Sequence, residues 1–322
     1  MPLYNTYPHF LYRQFFIYPS KAPSSLTLQG RAGLITGSNT GLGYHAASQL
    51  LSLGLTRLIL AVRNISKGEA ARQQLLESLA KSSSSEVPVV EIWELDMANY
   101  ASIVGFVERL KQSSITLDFV ILNAGVANFK YELSKPTGNE ENIQINWLGT
   151  AEAAAWAKFE EAQITKKQNL TLLQTLNTEQ YFDMPDRYYT SKLLYQLFFL
   201  ELVNTHRSST LRFSGAVLNL VNPGFCYGSE LHRSLEGVLG KVFGGVKRVA
   251  GRSVSMGART LVHAAVVVGA DSNGKYLSDN RSAPFAGYGD SSAGRDTQRG
   301  VWDETITELS KVIDTTKLLS EI

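Results

Sequence analysis

The stretch Thr36-Gly37-Ser38-Asn39-Thr40-Gly41-Leu42-Gly43 decides the fold. It stands directly after a short apolar run, residues 33–36, and directly before residues 44–53, whose apolar positions recur at helical spacing. Glycines at 37, 41 and 43 let the backbone turn tightly and approach a pyrophosphate without Cβ clashes, while the free N–H groups of the following helix face the anion. Alone, a glycine-rich octapeptide is a weak signal, because a plain strand-to-helix turn needs similar residues. Its place between a strand and a helix supplies the weight.

Outward from this point, short β-branched or Leu-rich runs alternate with longer amphipathic segments, the pattern of βαβ units stacked into a parallel sheet. Residues 33–36, 58–62, 87–93 and 119–122 read as the first four strands, and 44–53, 67–81 and 100–111 as helices between them. The serine-rich run 81–86 is a polar loop, since strand-like sequence resumes at once. Further on, 189–203 has the apolar density of a buried helix, and 213–221 reads as a central strand ending at Asn222-Pro223-Gly224. Residues 261–268 read as a buried helix and 281–300 as an irregular loop.

A chain of 322 residues with 44% hydrophobic and 19% charged residues has the profile of an ordinary globular protein. A net charge of +2 argues against nucleic acid or an anionic membrane as partner. Cys226 is the only cysteine, which excludes an intrachain disulfide and a cysteine-based metal site and fits a reducing, cytoplasmic location. Residues 10–18 are aromatic and apolar, but Arg13 and Gln14 interrupt them, so they form neither a membrane span nor a secretory signal. Residues 1–30 are therefore expected to be a surface-packing arm or loose tail, and 31–322 a single domain.

Three further motifs follow the glycine turn in order: Asn123-Ala124-Gly125 after the fourth strand, Asn146 within Ile145-Asn146-Trp147-Leu148-Gly149, and Tyr188 four residues before Lys192. Over residues 30–280 the chain resembles the short-chain dehydrogenase/reductase family. Asn39-Thr40-Gly41-Leu42-Gly43 and the run Asp186-Arg187-Tyr188 to Lys192 look like its retinol-dehydrogenase-like branch, particularly fungal members. The resemblance implies a three-layer Rossmann fold with a doubly wound, mostly parallel sheet, and a hydride moved between a nicotinamide and a carbonyl or alcohol carbon. It also raises a place in fungal secondary metabolism, and it leaves open a homo-oligomer.

Cofactor binding is expected from Gly37, Asn39, Gly41, Leu42, Gly43, Arg63, Asp96, Asn123, Tyr188 and Lys192. Where an NAD-preferring protein carries an acidic residue at the end of the second strand, this chain has Arg63-Asn64, and a guanidinium there favours the 2′-phosphate of NADP. Lys67 reads foremost as a solvated surface cation that adds charge nearby. Asp96 matches the family's aspartate beside the adenine amino group, and it also reads as a helix N-cap. Asn123 sits at the sheet edge where such folds bind ligands, or serves simply as a turn residue.

For chemistry, a phenol with an ordinary pKa near 10 exchanges protons poorly at neutral pH unless an ammonium stabilises its phenolate. Tyr188 and Lys192 are four apart and share a helical face, so Tyr188 is expected as acid/base, with Lys192 lowering its pKa and holding the nicotinamide ribose. Asn146 matches the family asparagine that anchors a water in the proton relay. Residues 225–256 are expected to close over a hydrophobic substrate as a lid, with Phe225, Tyr227, Leu231 and Leu235 apolar within it.

One family feature is missing. Members carry a serine at the end of a fifth strand, roughly a dozen residues before the tyrosine, and no strand ending in Ser-Ser appears between Asn146 and Tyr188. Residues 151–168 read as helix, which leaves 169–175 as the only substitute strand, with Thr175 in the serine's approximate place. A second reading, favoured here, is that the fifth strand is deleted. The missing serine also motivates an alternative function, a cofactor-binding scaffold without turnover. A hydrolase built on Ser191 or His206 lacks the Gly-x-Ser-x-Gly elbow.

Overall fold

Side chains along the first strand alternate between two buried sides: Leu34 enters one apolar cluster and Ile35 the other. The same period of two sends Ile59 and Ala61 to the first cluster and Leu58 and Leu60 to the second. Strands buried on both faces belong inside a parallel sheet covered by helices on each side. The computed structural model has this architecture and describes residues 7–81, 87–151, 171–208, 216–229, 231, 237–285 and 292–312.

The order is α1 (Tyr7–Phe16), β1 (Ala32–Thr36), α2 (Gly41–Ser52), β2 (Arg57–Val62), α3 (Ile65–Ala80), β3 (Val89–Glu94), α4 (Tyr100–Gln112) and β4 (Phe119–Ile121). A single turn, α5 (Glu141–Ile143), runs into the π-helical turn Gln144–Leu148. Then come α6 (Leu172–Leu176), α7 (Met184–Ser208), β5 (Asn219–Asn222), β6 (Cys226–Tyr227), α8 (Gly237–Ala250) and β7 (Arg252–Ser253). The chain continues through α9 (Val254–Val266), β8 (Lys275–Ser278), β9 (Arg281–Ala283) and α10 (Ser292–Leu309).

Strands β3-β2-β1-β4 lie side by side and parallel, so the winding direction reverses next to β1 and opens a crevice over the carboxyl ends of β1 and β4. On one face, Ala46, Ala47 and Leu50 of α2 pack with Ala258, Leu261 and Val262 of α9. On the other, Phe106, Trp147, Leu197, Phe198 and Trp302 come together from α4, the π turn, α7 and α10.

Beyond β4 the sheet does not continue among the described residues. β4 pairs with β1 alone, while β5 pairs with β8 in a separate three-stranded sheet, β5-β8-β9. Val120, at the middle of β4, is 49% exposed, which a strand flanked on both edges and covered on both faces would not allow. Residues 169–175 do not supply the substitute strand: Leu172–Leu176 is helical. Thr171 accepts from the Gln174 N–H while the Gln174 side chain accepts from the Thr171 N–H, a reciprocal cap that starts a helix. The helix expected over 151–168 lies, after Ala151, outside the described residues.

Two other expectations need correction. Residues 281–300 are not an irregular loop, for they hold β9 and the start of α10. Asp279 and Asn280, with φ of 53° and 61°, form the two-residue left-handed turn that pairs Ser278 with Arg281. Of the two alternatives for the arm, residues 7–30 take the packed one and not the loose tail, although by other residues than its apolar run suggested: Arg13 and Gln14, which broke that run, are buried, and Phe16 and Tyr18 are exposed.

Candidate active site

A cleft of about 340 Å³ opens over the carboxyl ends of the parallel strands. Its lining includes Gly37, Asn39, Gly41 and Leu42 of the turn, Arg63 and Lys67 beyond β2, Asp96 beyond β3, and Asn123 and Gly125 beyond β4. The sheet explains this convergence, since parallel strands deliver all their βα turns to one edge.

The glycine turn is built so tightly that only glycine fits. Gly37 has φ +62°, and a Cβ there would lie 2.8 Å from Ala124 Cα. A Cβ on Gly43 would lie 2.6 Å from the Gly37 carbonyl oxygen and 2.7 Å from Asn123 Nδ2. Backbone cannot yield as a flexible side chain does, so Gly43→Ala is expected to destabilise the protein by about 1–3 kcal/mol. Thermal unfolding checks this: the midpoint should fall by several degrees, and an unchanged midpoint contradicts the packing described.

Asn123 is the splint of this turn. Its Nδ2 donates to the carbonyls of Thr36 and Gly37 at 3.0 and 3.1 Å, and its own N–H donates to Thr36 Oγ1. Asp96 does not cap α4. Asn99 does, accepting from the Ala101 N–H, while Asp96 Oδ1 accepts from the Ala98 N–H at 3.0 Å. Asn64 caps α3 by accepting from the Lys67 N–H, which leaves the neighbouring Arg63 and Lys67 exposed at the cleft.

The inner end of the cleft meets the second group of residues at Gly125. A Cβ on Gly125 would lie 3.0 Å from Asn146 Oδ1 and 3.3 Å from Lys192 Nζ, so both groups border the cleft wall. Asn146 sits within the π turn, a departure from α geometry often found at functional sites. Its Oδ1 accepts from the Val126 N–H, and its Nδ2 donates to the Val126 carbonyl and to Ser191 Oγ. Thus one amide ties the segment after β4 to α7. Ser191, fully buried, donates onward to the Tyr188 carbonyl, which removes it as a hydrolytic nucleophile. The side chain of His206 lies outside the described residues.

Lys192 Nζ lies 5.7 Å from the centre of the Tyr188 ring. Burial pushes the Tyr188 phenol up to about 12, with smaller upward pushes from Tyr189, Cys226 and Tyr276. The expectation that Lys192 lowers this pKa is therefore corrected: loss of solvent dominates, and the phenol is protonated at neutral pH. Surrounding protein brings the Lys192 ammonium down to about 8. The residue nevertheless keeps exposed surface, so water opposes that depression.

Thr175 is not part of this constellation. It sits on α6, and its hydroxyl donates to the Thr171 carbonyl. The segment 225–231 is: Ser229 and Leu231 line the cleft, Ser229 lies 3.4 Å from where a Cβ on Gly41 would stand, and the Leu231 carbonyl accepts from the Ala127 N–H. Leu231 was expected in the lid, whereas nothing in spacing or residue type singled out Ser229. Leu235 lies outside the described residues.

The family profile described as short chain dehydrogenase matches residues 31–233, from β1 past the Tyr188-Lys192 helix. The chain belongs to the short-chain dehydrogenase family. It is 36% identical to the short-chain dehydrogenase fogG of Aspergillus ruber, over 92% of this chain and 90% of that one. It is 33% identical to the short chain dehydrogenase/reductase mfmJ of Annulohypoxylon moriforme, over 93% and 90%. The alignment with the Aspergillus relative spans 334 positions, more than the 322 residues of this dehydrogenase, so the relative has residues with no counterpart here. Among solved structures, a short-chain dehydrogenase of Escherichia coli complexed with NADPH superimposes with a TM-score of 0.54 at 15% identity, covering 81% of this chain and all of that one. The NADPH-dependent 3-quinuclidinone reductase of Rhodotorula rubra gives 0.53 at 16%, covering 81% and 96%. As a short-chain dehydrogenase the protein is an oxidoreductase, and among its described residues no helix is long and apolar enough to cross a membrane.

Proposed function

We propose that the chain is an NADP-dependent oxidoreductase that moves a hydride between the nicotinamide and a hydrophobic ketone, aldehyde or alcohol. The observation that carries this reading is one cleft lined by a phosphate-cradling glycine turn, two exposed cations and Gly125, with Lys192 Nζ 3.3 Å from where a Cβ on Gly125 would stand and 5.7 Å from the centre of the Tyr188 ring. The cradle fits the cofactor, because close backbone packing at Gly37 and Gly43 and the positive φ of Gly37 and Gly41 set the tight turn that starts α2 at the cleft.

When bound, the nicotinamide supplies or accepts the hydride. Arg63, with Lys67 beside it, offers charge to a 2′-phosphate, and Asp96 faces the adenine end. Tyr188, protonated at neutral pH, gives its proton to a carbonyl oxygen in the reductive direction, and Lys192 holds the ribose. The Escherichia coli neighbour is complexed with NADPH, in keeping with the same cofactor, and the fungal source of the relatives is in keeping with the fungal secondary metabolism that the resemblance raised. Phe225, Tyr227 and Leu231 make an apolar substrate the natural choice.

Arg63→Glu is expected to reverse the coenzyme preference. A bidentate charged contact is worth about 1.5–3 kcal/mol, or about 10- to 100-fold in affinity, and the carboxylate would repel the phosphate as well. Fluorescence titration with NADPH and NADH checks it, and an unchanged ratio removes Arg63 from the site. The whole reading is tested by following NADPH oxidation with a panel of lipophilic carbonyls.

A second reading, a cofactor-binding scaffold without turnover, draws on the sheet that, among the described residues, stops at β4 and on the lack of any serine between Asn146 and Tyr188. It predicts that NADPH binds and no carbonyl is reduced.

A further inference from the structure

The arm before residue 31 and the β8-β9 turn both lie outside the stretch matched by the family profile, yet they meet in a buried charged cluster. Arg13 of α1 donates through Nε to Asp279 Oδ2 at 2.7 Å and also to the Ser278 hydroxyl. Arg252 of β7 donates through Nη1 to Asp279 Oδ1 at 2.6 Å, and through Nη2 to the carbonyls of Arg13 and Ile17. All three ionised side chains are at least 90% buried, so the carboxylate shared between two guanidiniums fixes the arm's position rather than decorating its surface. Farther along, Arg259 donates to the Pro19 carbonyl and Asn280 to the Ser20 carbonyl, which continues the strap.

The next residue, Gln14, reaches the loop that borders the cleft. Its Nε2 donates to the carbonyls of Phe225 and Ala250 at 2.9 and 3.3 Å, and its Oε1 accepts from the Phe225 N–H at 3.3 Å. Gly224, just before Phe225, has φ +79°, and a Cβ there would lie 2.9 Å from Gln14 Oε1, so the arm seats directly on the turn after β5. Four residues beyond Phe225, Ser229 packs against the glycine turn. We propose that the N-terminal arm is a positioning element for the cofactor-side loop: the Arg13-Asp279-Arg252 cluster locks α1, and Gln14 holds residues 225–229 in the geometry that receives the dinucleotide. This rests on the NADP reading above.

Linkage makes the inference testable in the unaltered full chain, because an arm that favours cofactor binding must itself be favoured by the cofactor. Hydrogen exchange is compared with and without saturating NADPH, with saturation established independently by fluorescence titration. Exchange of amides in residues 7–20 is expected to slow together with that of 225–229. Bound NADPH that protects 225–229 and leaves 7–20 unchanged overturns this inference alone, whereas no NADPH binding at all defeats it together with the NADP reading. In parallel, Gln14→Ala is expected to raise the NADPH dissociation constant about three- to tenfold, the effect of removing hydrogen bonds that hold the loop. Simple loss of folded protein would reduce the amplitude of the titration without moving that constant, so a lower amplitude at an unchanged constant also overturns the positioning role.

Discussion

Replacing Tyr188 with Phe is expected to lower kcat for carbonyl reduction by about 10²- to 10⁴-fold, the usual contribution of a positioned general acid or base. The phenol ring would stay and only its hydroxyl would go, so the packing of α7 should hardly change, and the dissociation constant for NADPH, measured alongside, reports what the hydroxyl adds to cofactor binding. The same proposal has a pH signature. With Tyr188 protonated up to about 12 and Lys192 titrating near 8, reduction should be flat from mildly acidic to neutral pH and decline above pH 8 as the Lys192 ammonium loses its proton. Single-turnover kinetics with both proteins settles the matter. Turnover that survives the substitution takes Tyr188 out of the mechanism, and binding without turnover in either protein favours the scaffold.

The largest loss of stability is expected from Asp279→Ala. It would leave Arg13 and Arg252 facing each other across a site that is nearly closed to water, and removing one partner of a buried ionic group costs about 3–5 kcal/mol. Alanine at a left-handed φ of 53° adds backbone strain. At about 2–4 °C of melting temperature per kcal/mol for a large domain, thermal unfolding should begin about 10 °C lower. A shift of no more than about 1 °C would mean that the two guanidiniums reach water once the carboxylate is gone, which contradicts the closed cluster described.

The glycine turn, the first four strands and the Tyr188-Lys192 helix were legible because each is written in local spacing: three glycines after an apolar strand, a period of two, and two side chains four apart. The β8-β9 hairpin and α10 were hidden by their polar composition. What makes α10 a helix is its packing, with Val301, Trp302 and Leu309 buried on one side of an otherwise polar segment. Arg13 and Gln14 misled in an instructive way, since they read as interruptions of an apolar tail yet prove to be its anchors. Their partners, Asp279 and Phe225, lie 266 and 211 residues away, a relation that no local pattern encodes. The phenol's pKa is hidden for a similar reason: spacing announces a nearby ammonium, whereas burial depends on what the rest of the chain brings around Tyr188, and Tyr189, Cys226 and Tyr276 add smaller upward pushes by their charge.

The most direct test is a crystal structure of the protein with NADP⁺. The account predicts the pyrophosphate on residues 37–43, the 2′-phosphate against Arg63, and the nicotinamide ribose within hydrogen-bond reach of Lys192 Nζ. Density for the dinucleotide elsewhere on the surface, or a nicotinamide turned away from Tyr188, would contradict it.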